Sequence, residues 1–412
     1  SPCRSSGGTA SGPVSFLRVF DAATNAIKQG GRRRGANMAV LRSDHADLLE
    51  FGECKLDGSI TNFNISVAAT DGFMAAVLED RHVALIDPHR PELVGSRTLP
   101  ARDVCERIVQ AAWRTGDPGL FFVDRVNAGP ANPVPDIELI EAPNPCGESS
   151  LGPNDACNLG SLNVSHYVMG DAVDRGIAYA LLERDVRVAV RFLDDVIEVN
   201  PYPLPEIHAT VKANRRVGLG VMGWSDLLFK LGIPYDSANA LLLADRLMGF
   251  VSRAAWEESE RLAEHRGAFP NFSRSRYKDG PPRRNGTVTT IAPTGSISIL
   301  ADCSSGIEPA FALAYQHRVR QADGERVLDF FNPIVRRKLE EIKAWSPSVQ
   351  RDILAMGVFP KGGFIYPDGS RRTAEDLERV FKTAHEIAPE WHVKHQAVFQ
   401  RHTDNGVSKT IN

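Results

Sequence analysis

The sequence predicts an α/β fold in which parallel strands are covered by outer helices. Short β-rich runs are separated by long segments of helical spacing, and this alternation is typical of α/β proteins. No internal repeat of roughly 20 to 50 residues is present, which excludes solenoids and propellers. The Pro- and Gly-rich joins at 129–135, 143–153 and 278–286 are short and lie beside apolar strands. We therefore expect residues 1–412 to form one large domain.

The helices are predicted from apolar residues that recur every three or four positions. The clearest pattern covers residues 182–199 and ends at Asn200-Pro201. Further helices are predicted over 16–28, 237–265 and 373–387, the last with Thr373 as N-cap. Strands are predicted for four runs of β-forming residues, at 37–42, 60–69, 287–292 and 407–411.

Charge and cysteine content narrow the class of protein. The chain has 48 Lys and Arg against 51 Asp and Glu, and a net charge of -3 argues against nucleic acid or an anionic membrane as its partner. No apolar run approaches the roughly 18 to 20 residues of a membrane span, so we expect a cytoplasmic protein. The six cysteines are too sparse for a disulfide scaffold and miss the spacing of zinc sites. We expect no bound metal, and we interpret His392, His395 and His402 as packing or surface residues.

The run Asn144-Pro-Cys146-Gly-Glu148 is the first candidate for chemistry. In an extended backbone, alternate side chains point the same way, so the amide, the thiol and the carboxylate would share one face. Pro145 favours extended geometry before it and Gly147 permits a tight turn, which predicts a loop tip. A carboxylate close to a thiol raises the pKa of that thiol, so we expect Cys146 to stay protonated at pH 7. A protonated thiol suits hydrogen-atom transfer better than nucleophilic attack, although a buried cysteine in a plain turn is the ordinary interpretation.

Three other segments are candidates for binding or redox roles. Cys157 opens an apolar-polar run and, taken alone, is interpreted more readily as a core cysteine than as a redox one. A small hydroxyl-rich turn after the strand at 287–292 could hold a phosphate on its backbone N–H groups, and it consists of Pro293, Thr294, Gly295, Ser296, Ile297 and Ser298. The segments 5–13 and 28–37 are a second such turn and a Gly-rich cationic loop, either of which could be a plain connection.

In combination, these segments resemble the large catalytic chain of ribonucleotide reductases, and most closely the adenosylcobalamin-dependent class II family. The motifs follow the family's order along the whole chain: Ser6-Gly-Gly-Thr-Ala-Ser-Gly-Pro-Val-Ser15, Lys28-Gln-Gly-Gly, Arg33-Arg-Gly-Ala-Asn-Met38, Thr61-Asn-Phe-Asn-Ile-Ser66, Asn144-Pro-Cys-Gly-Glu148, Cys157-Asn-Leu-Gly-Ser161, Gly218-Leu-Gly-Val-Met-Gly223, Ala292-Pro-Thr-Gly-Ser-Ile-Ser298 and Asp404-Asn-Gly-Val-Ser-Lys-Thr-Ile-Asn412.

The resemblance implies a ten-stranded α/β barrel, made of two five-stranded parallel half-barrels, with a central finger loop that carries Cys146. It implies that Cys146 becomes a thiyl radical and removes the ribose 3′ hydrogen, that Glu148 is the base at the 3′ hydroxyl, and that Asn144 bonds the ribose. Cys157 would be one of two redox cysteines, and residues 293–298 would bind the substrate phosphates. The residues of the substrate and effector loops would be Ser6, Gly7, Gly8, Lys28, Gln29, Gly30, Gly31, Arg32, Arg33, Arg34 and Asn37.

The resemblance also implies the cofactor and the partners. These are adenosylcobalamin, a ribonucleotide substrate, a deoxynucleotide or ATP effector and a thioredoxin-type reductant. A homodimer is a further possibility. We expect a single catalytic barrel domain that is truncated, with the first redox cysteine before Ser1 and the last strand and cysteine tail after Asn412. Two alternatives stay open, which are a class I large subunit that receives its radical from a partner subunit and an inactive nucleotide-binding regulatory chain.

Overall fold

The protein is described here by a computed structural model, which covers residues 11–29, 33–88, 97–170, 176–321, 324–362, 364–365, 371–372 and 375–411. The chain divides into two compact units. The first comprises residues 1–156 with 274–276, and the second comprises residues 157–273 with 277–412. Across the described ranges, we find no helix with the length and apolar character needed to cross a membrane.

The first unit contains five helices and nine strands within its described residues. The helices are α1 (Pro13–Ala26), α2 (Leu48–Glu53), α3 (Asp71–Leu78), α4 (Ala101–Thr115) and α5 (Val123–Ala128). The strands are β1 (Lys28–Gln29), β2 (Arg33–Arg34), β3 (Asn37–Arg42), β4 (Phe63–Ala69), β5 (His82–Ala84), β6 (Thr98–Pro100), β7 (Gly119–Phe122), β8 (Ala142–Pro143) and β9 (Ser150–Leu151).

The core of the first unit is a parallel sheet with the strand order β3-β4-β7. Alternate residues of β4, Phe63, Ile65 and Val67, are buried in apolar clusters with helices α1 to α4. Burying such side chains stabilises the fold by about 1.5 to 3 kcal/mol each. Because successive side chains of a strand point to opposite faces, Asn64 and Ser66 face away from these helices. One face of β4 therefore builds the core and the other is available for a site.

The second unit contains nine helices and eight strands within its described residues. The helices are α6 (Tyr179–Val199), α7 (Pro205–Asn214), α8 (Trp224–Leu231), α9 (Ala238–Arg266), α10 (Ile297–Leu300), α11 (Pro333–Glu341), α12 (Pro347–Met356), α13 (Glu375–Val380) and α14 (Pro389–Gln400). The strands are β10 (Asn158–Asn163), β11 (Val168–Met169), β12 (Gly176–Ile177), β13 (Val217–Met222), β14 (Ala314–Gln321), β15 (Gly324–Phe331), β16 (Phe364–Ile365) and β17 (Arg371–Arg372).

The core of the second unit is built around β13, every residue of which is buried. Strand β13 pairs in parallel with β10, and single parallel bridges continue the array from Leu219 to Thr289 and from Ile291 to Val407. The backbones approach closely, since a Cβ added at Gly220 would lie 2.1 Å from the backbone oxygen of Thr290. Glycine at this position allows the neighbouring segments to pack together.

The helix predictions are largely confirmed. The predicted helices at 182–199, 16–28 and 237–265 correspond to α6, α1 and α9, and Ser237 caps α9 by accepting from the Ala240 N–H. The prediction over 373–387 is wrong in its extent, because α13 ends at Val380 and a separate 3-10 turn begins after Thr383, which forms a capping box with Glu386. The proposed N-cap Thr373 lies outside the described residues.

The strand predictions are confirmed in the first unit and only partly in the second. Strand β3 has the predicted bounds, and β4 begins three residues after the predicted start at 60. The runs 287–292 and 407–411 form single bridges instead of continuous strands. Side chains compete for their N–H groups, because Val288 and Thr289 donate to the buried Asp404 carboxylate and Thr410 donates to Glu308.

The α/β class with parallel strand pairing is confirmed. Within the described ranges the largest continuous sheet has three strands, and closure into a barrel is not observed there. The closed ten-stranded barrel and the single-domain organisation therefore remain predictions.

Candidate active site

The candidate catalytic residues lie at the end of a short β-hairpin in the first unit. Strands β8 and β9 are antiparallel, and the pairing is extended by the Asn144 N–H, which donates to the Ser149 oxygen at 2.8 Å. The Gly147 N–H donates to the Asn144 oxygen at 3.0 Å and closes the turn. Gly147 has a φ of +83°, a conformation that strongly favours glycine. The predicted loop tip is confirmed, and Cys146 is exposed on it.

The local backbone differs from the predicted extended run. Residues 144–147 form a turn, so the alternation of side chains in a strand does not apply to them. The Asn144 Oδ1 accepts from the Ser149 N–H at 3.0 Å, which leaves the amide nitrogen as the group this side chain can present outward. Glu148 is only 3% exposed, whereas Cys146 is exposed. The thiol thus lies at the accessible end of the hairpin and the carboxyl group lies at its buried base.

Asn64 holds the tip of this hairpin and was not identified from the sequence. It lies on the face of β4 that points away from the helices, and its Nδ2 donates to the Pro145 oxygen at 2.7 Å. A signal was present in the sequence, because Asn64 is polar and lies between the apolar residues Phe63 and Ile65 of a predicted strand. This bond restrains the residue that directly precedes Cys146.

Cys157 lies at the start of the second unit, immediately before β10. Its side chain is half-buried, and the Sγ donates to the backbone oxygen of Asn158 at 3.7 Å. Cys146 and Cys157 are not joined in a disulfide in this structure. A third thiol, that of Cys303, has its pKa raised to about 11 by burial and by Asp226 and Asp302. Cys303 is therefore a protonated thiol at neutral pH and no candidate thiolate.

The predicted phosphate-binding turn is exposed at its centre and buried at Thr294 and Ser298. Gly295, Ser296 and Ile297 are exposed, whereas Thr294 and Ser298 are buried. The Thr294 hydroxyl accepts from the Gly306 N–H at 2.7 Å, and the Ser298 and Ser305 hydroxyls are 2.8 Å apart. The exposed backbone of this turn fits the anion-binding expectation, while the two buried hydroxyls act within the protein.

Asp226 of helix α8 bonds Ser304, which precedes the two residues that contact this turn, and the sequence did not reveal it. Its carboxylate accepts from the Ser304 N–H at 2.6 Å, and the Ser304 backbone oxygen accepts from the Gly223 N–H at 2.7 Å. Burial raises the pKa of Asp226 above its ordinary value, and the bonds from Ser304 and Asn332 oppose that shift. A short polar residue in the first turn of a helix is a common capping signal, which does not by itself indicate a second partner.

The predicted effector segments are described only in part. In the loop that joins α1 to β3, the backbone of Lys28–Gln29 pairs antiparallel with that of Arg33–Arg34. Residues 30–32, and Ser6, Gly7 and Gly8 in the other segment, lie outside the described residues. Asn37 donates through Nδ2 to the Thr24 hydroxyl at 2.8 Å.

The three histidines at 392, 395 and 402 pack within the second unit. His395 stacks on Tyr235 with ring centroids 3.8 Å apart, and burial lowers its pKa to about 4. The His392 Nδ1 accepts from the buried Lys409 Nζ at 2.8 Å, and His402 contacts Asp245. Among the residues that the structure describes, no group of three or more His, Cys, Asp or Glu side chains could hold a metal ion. The interpretation as packing residues is confirmed for His392 and His395.

The first unit is an α/β fold that presents the exposed Cys146 thiol at the tip of a β-hairpin. A family model described as "Ribonucleotide reductase, barrel domain" matches residues 1–283 and 281–412. The chain therefore belongs to the ribonucleotide reductase barrel-domain family, as the motifs indicated.

Several relatives are similar over nearly the whole chain. A vitamin B12-dependent ribonucleoside-diphosphate reductase from Thermoplasma acidophilum is 44% identical over 409 residues, which are 98% of this chain and 51% of the relative. The protein of the same name from Mycobacterium tuberculosis is 45% identical over 410 residues, which are 99% of this chain and 56% of the relative. The chain thus spans about half the length of these curated relatives.

A solved structure supports the fold. The class Id ribonucleotide reductase alpha subunit of Actinobacillus ureae has a TM-score of 0.71 and 24% sequence identity, and the similarity covers 97% of this chain and 68% of that chain.

Proposed function

We propose that this chain is the catalytic core of an adenosylcobalamin-dependent ribonucleotide reductase, which converts ribonucleotides to 2′-deoxyribonucleotides. The observation that supports this most is the exposed thiol of Cys146 at the tip of a hairpin that also carries Asn144 and Glu148. The relatives that share 44 to 45% of its residues are named as vitamin B12-dependent ribonucleoside-diphosphate reductases. These names favour a ribonucleoside diphosphate as the substrate.

The proposed fold around the hairpin is the closed ten-stranded barrel. Two sets of parallel pairings support it, with three strands in the first unit and a second array around β13 in the other. The hairpin is bonded to Asn64, on the face of β4 that points away from the helices. In an α/β barrel that face is the interior, so the hairpin would be the central finger.

Cys146 would act as the hydrogen-atom carrier. Its exposure fits a cofactor that must reach the sulfur, and bound adenosylcobalamin would supply the radical chemistry that removes the hydrogen atom from Sγ. The Sγ radical would then take the 3′ hydrogen of the ribose. Asn144 would present its amide nitrogen to a ribose hydroxyl, since its oxygen is engaged by Ser149. Glu148 would accept the proton of the 3′ hydroxyl.

The electrons would come from a cysteine pair of which Cys157 is one member. Replacing the 2′ hydroxyl by hydrogen with release of water needs two protons and two electrons, and oxidation of two thiols to a disulfide supplies all of them. Cys146 would return the hydrogen to C3′ at the end, so its thiol is regenerated. The turn at 293–298 would hold the substrate phosphates on its exposed backbone, and a thioredoxin-type reductant would reopen the disulfide.

The remaining partners are proposed from the same resemblance. The loop at 28–37 would relay the identity of a deoxynucleotide or ATP effector to the substrate base, with Ser6 to Gly8 contributing to the same region. The protein would work without nucleic acid and in the cytoplasm, and a homodimer is a further proposal.

Turnover by the complete gene product tests this function. We expect deoxynucleotide formation that requires adenosylcobalamin and a dithiol but no second subunit. Cys146→Ser removes the sulfur that would carry the hydrogen atom, so product should fall below detection. Cys105→Ser is the matched control, because Cys105 is a half-buried thiol of the same unit on helix α4. Wild-type activity in Cys146→Ser, or a requirement for a radical-bearing partner subunit, would overturn the proposal.

A further inference from the structure

Helix α1 contacts the segment before β4 through a buried carboxylate. Asp21 is 4% exposed, and its Oδ1 accepts from the N–H groups of Thr61 at 3.0 Å and Asn62 at 2.7 Å. The Asn62 Nδ2 donates back to the Asp21 backbone oxygen at 3.2 Å. Because charged groups strengthen the bonds they accept, this contact fixes the helix against the edge of the sheet.

One turn further along α1, Thr24 contacts the end of the 28–37 loop. Its hydroxyl donates to the Phe20 oxygen at 2.8 Å and accepts from the Asn37 Nδ2 at 2.8 Å. The Asn37 N–H donates to the Asn62 oxygen at 2.8 Å. The residue at the loop exit is therefore bonded to the helix on one side and to the segment before β4 on the other.

The Thr24 methyl group contacts the same loop. A Cβ added at Gly35 would lie 2.9 Å from the Thr24 Cγ2, closer than real Cβ contacts allow. The χ1 angle of a threonine is stiff, and here the two hydrogen bonds of the hydroxyl restrain it further. The backbone at Gly35 can therefore lie against the helix only while residue 35 has no side chain.

The entry of the loop is also fixed to α1, because Lys28 follows directly after the end of the helix at Ala26 and Ile27. The chain itself holds the entry, and Thr24 holds the exit. Thr24 thus adds a direct contact between α1 and the loop exit to the indirect one that runs from Asp21 through Asn62 to the Asn37 N–H.

We propose that Thr24 is a positioning residue for substrate choice, which fixes the loop exit at Gly35 and Asn37 and thereby supports the response of substrate choice to the effector. This inference rests on the proposed role of residues 28–37 in the reductase. Thr24 touches neither substrate nor effector in this account, and it acts through Asn37 and Gly35.

The test compares two variants of the complete gene product that differ in one property of Thr24. Thr24→Val keeps the methyl group and the volume but removes the hydroxyl, and Thr24→Ser keeps the hydroxyl. The readout is the ratio of kcat/KM for two ribonucleotide substrates, with and without each deoxynucleotide effector. Effects of an effector on affinity are on the order of 5- to 150-fold. We expect Thr24→Val to reduce the change in this ratio to less than about two-fold, with the effector-free rate unchanged.

A reciprocal pair tests the packing contact independently of the hydrogen bond. Gly35→Ala should abolish the effector response, because the new methyl group meets Thr24 Cγ2. Adding Thr24→Ser removes that methyl group and should restore the response. A purely structural role would lower the melting temperature of the variants without this pattern of loss and rescue.

The outcomes separate this inference from the proposed function. If the wild-type protein reduces no ribonucleotide, the proposed function fails and this inference fails with it. If the wild-type protein is active and responds to effectors while Thr24→Val keeps the full response, only the positioning role of Thr24 is overturned. If Thr24→Val does not fold, failure of Thr24→Ser to rescue Gly35→Ala overturns it.

Discussion

The bond from Asn64 to Pro145 should matter for rate far more than for stability. The substitution Asn64→Asp keeps the size of the side chain and replaces the Nδ2 donor with an oxygen that cannot donate when ionised. One hydrogen bond at an exposed position contributes about 0.5 to 1.5 kcal/mol to folding, so we expect a stability loss of about 1 kcal/mol or less.

The catalytic effect follows from the small size of the hairpin. Strands β8 and β9 share only two pairs of residues, so the bond from Asn64 is a large part of what restrains the tip. A misplacement of about 1 Å at a reacting group can cost on the order of 100-fold in rate. We therefore expect kcat of the complete enzyme to fall by about 10- to 100-fold in Asn64→Asp, with a smaller change in KM.

The assay is steady-state deoxynucleotide formation with adenosylcobalamin and a dithiol, together with a urea unfolding curve for each variant. Ser66→Ala is the matched control, because Ser66 lies on the same strand and the same face of β4 as Asn64. Wild-type kcat in Asn64→Asp would refute the idea that β4 positions the thiol. So would a loss of rate in Ser66→Ala as large as that in Asn64→Asp.

Two further predictions concern stability. Gly220→Ala should destabilise the protein by about 1 to 3 kcal/mol or more in urea unfolding, since its Cβ would lie 2.1 Å from the Thr290 oxygen. Gly52→Ala has open space around its Cβ and should stabilise helix α2 by about 0.5 to 1 kcal/mol. Equal effects of the two substitutions on the free energy of unfolding would contradict the close packing around β13. The folded-state pKa of His395 is lowered to about 4, so the unfolded chain binds more protons between pH 6.5 and 4 and stability falls as the pH is lowered through that range. We expect a loss of about 2 kcal/mol between pH 7.5 and 5 that His395→Phe removes, and an unchanged pH profile in that variant would count against the burial of this ring.

The sequence predicted the secondary-structure elements that depend on residues close together in the chain. The apolar spacing over 182–199 and over 237–265 identified α6 and α9 because those patterns depend only on neighbours along the helix. The turn at Cys146 was indicated by Pro145 and Gly147 for the same reason. These parts of the prediction needed no knowledge of distant contacts.

The parts that failed depend on contacts far apart in the chain. The run 287–292 looks like a strand, but the Asp404 carboxylate, more than 110 residues away, takes two of its N–H groups. In the run 407–411, the Glu308 carboxylate likewise accepts from a backbone N–H group, that of Thr410. No local pattern encodes such competition for backbone donors.

The same distinction between local and distant information applies to the residues of the candidate site. Cys146, Asn144 and Glu148 were found because they are adjacent in sequence. The supporting residues Asn64, Thr24 and Asp226 were not found, because each forms a hydrogen bond with a residue that is distant in the sequence. Family motifs identify the residues that carry the chemistry more readily than those that position them.

The most direct test of the central claim is an electron paramagnetic resonance spectrum of the complete enzyme, frozen during turnover with adenosylcobalamin and a ribonucleotide. We predict a radical signal that narrows when the protein carries cysteine deuterated at Cβ, because the unpaired electron on Sγ couples to those hydrogens, and that is missing from Cys146→Ser. A signal unaffected by the deuterium, or one that persists in Cys146→Ser, would contradict the assignment of the radical to this thiol.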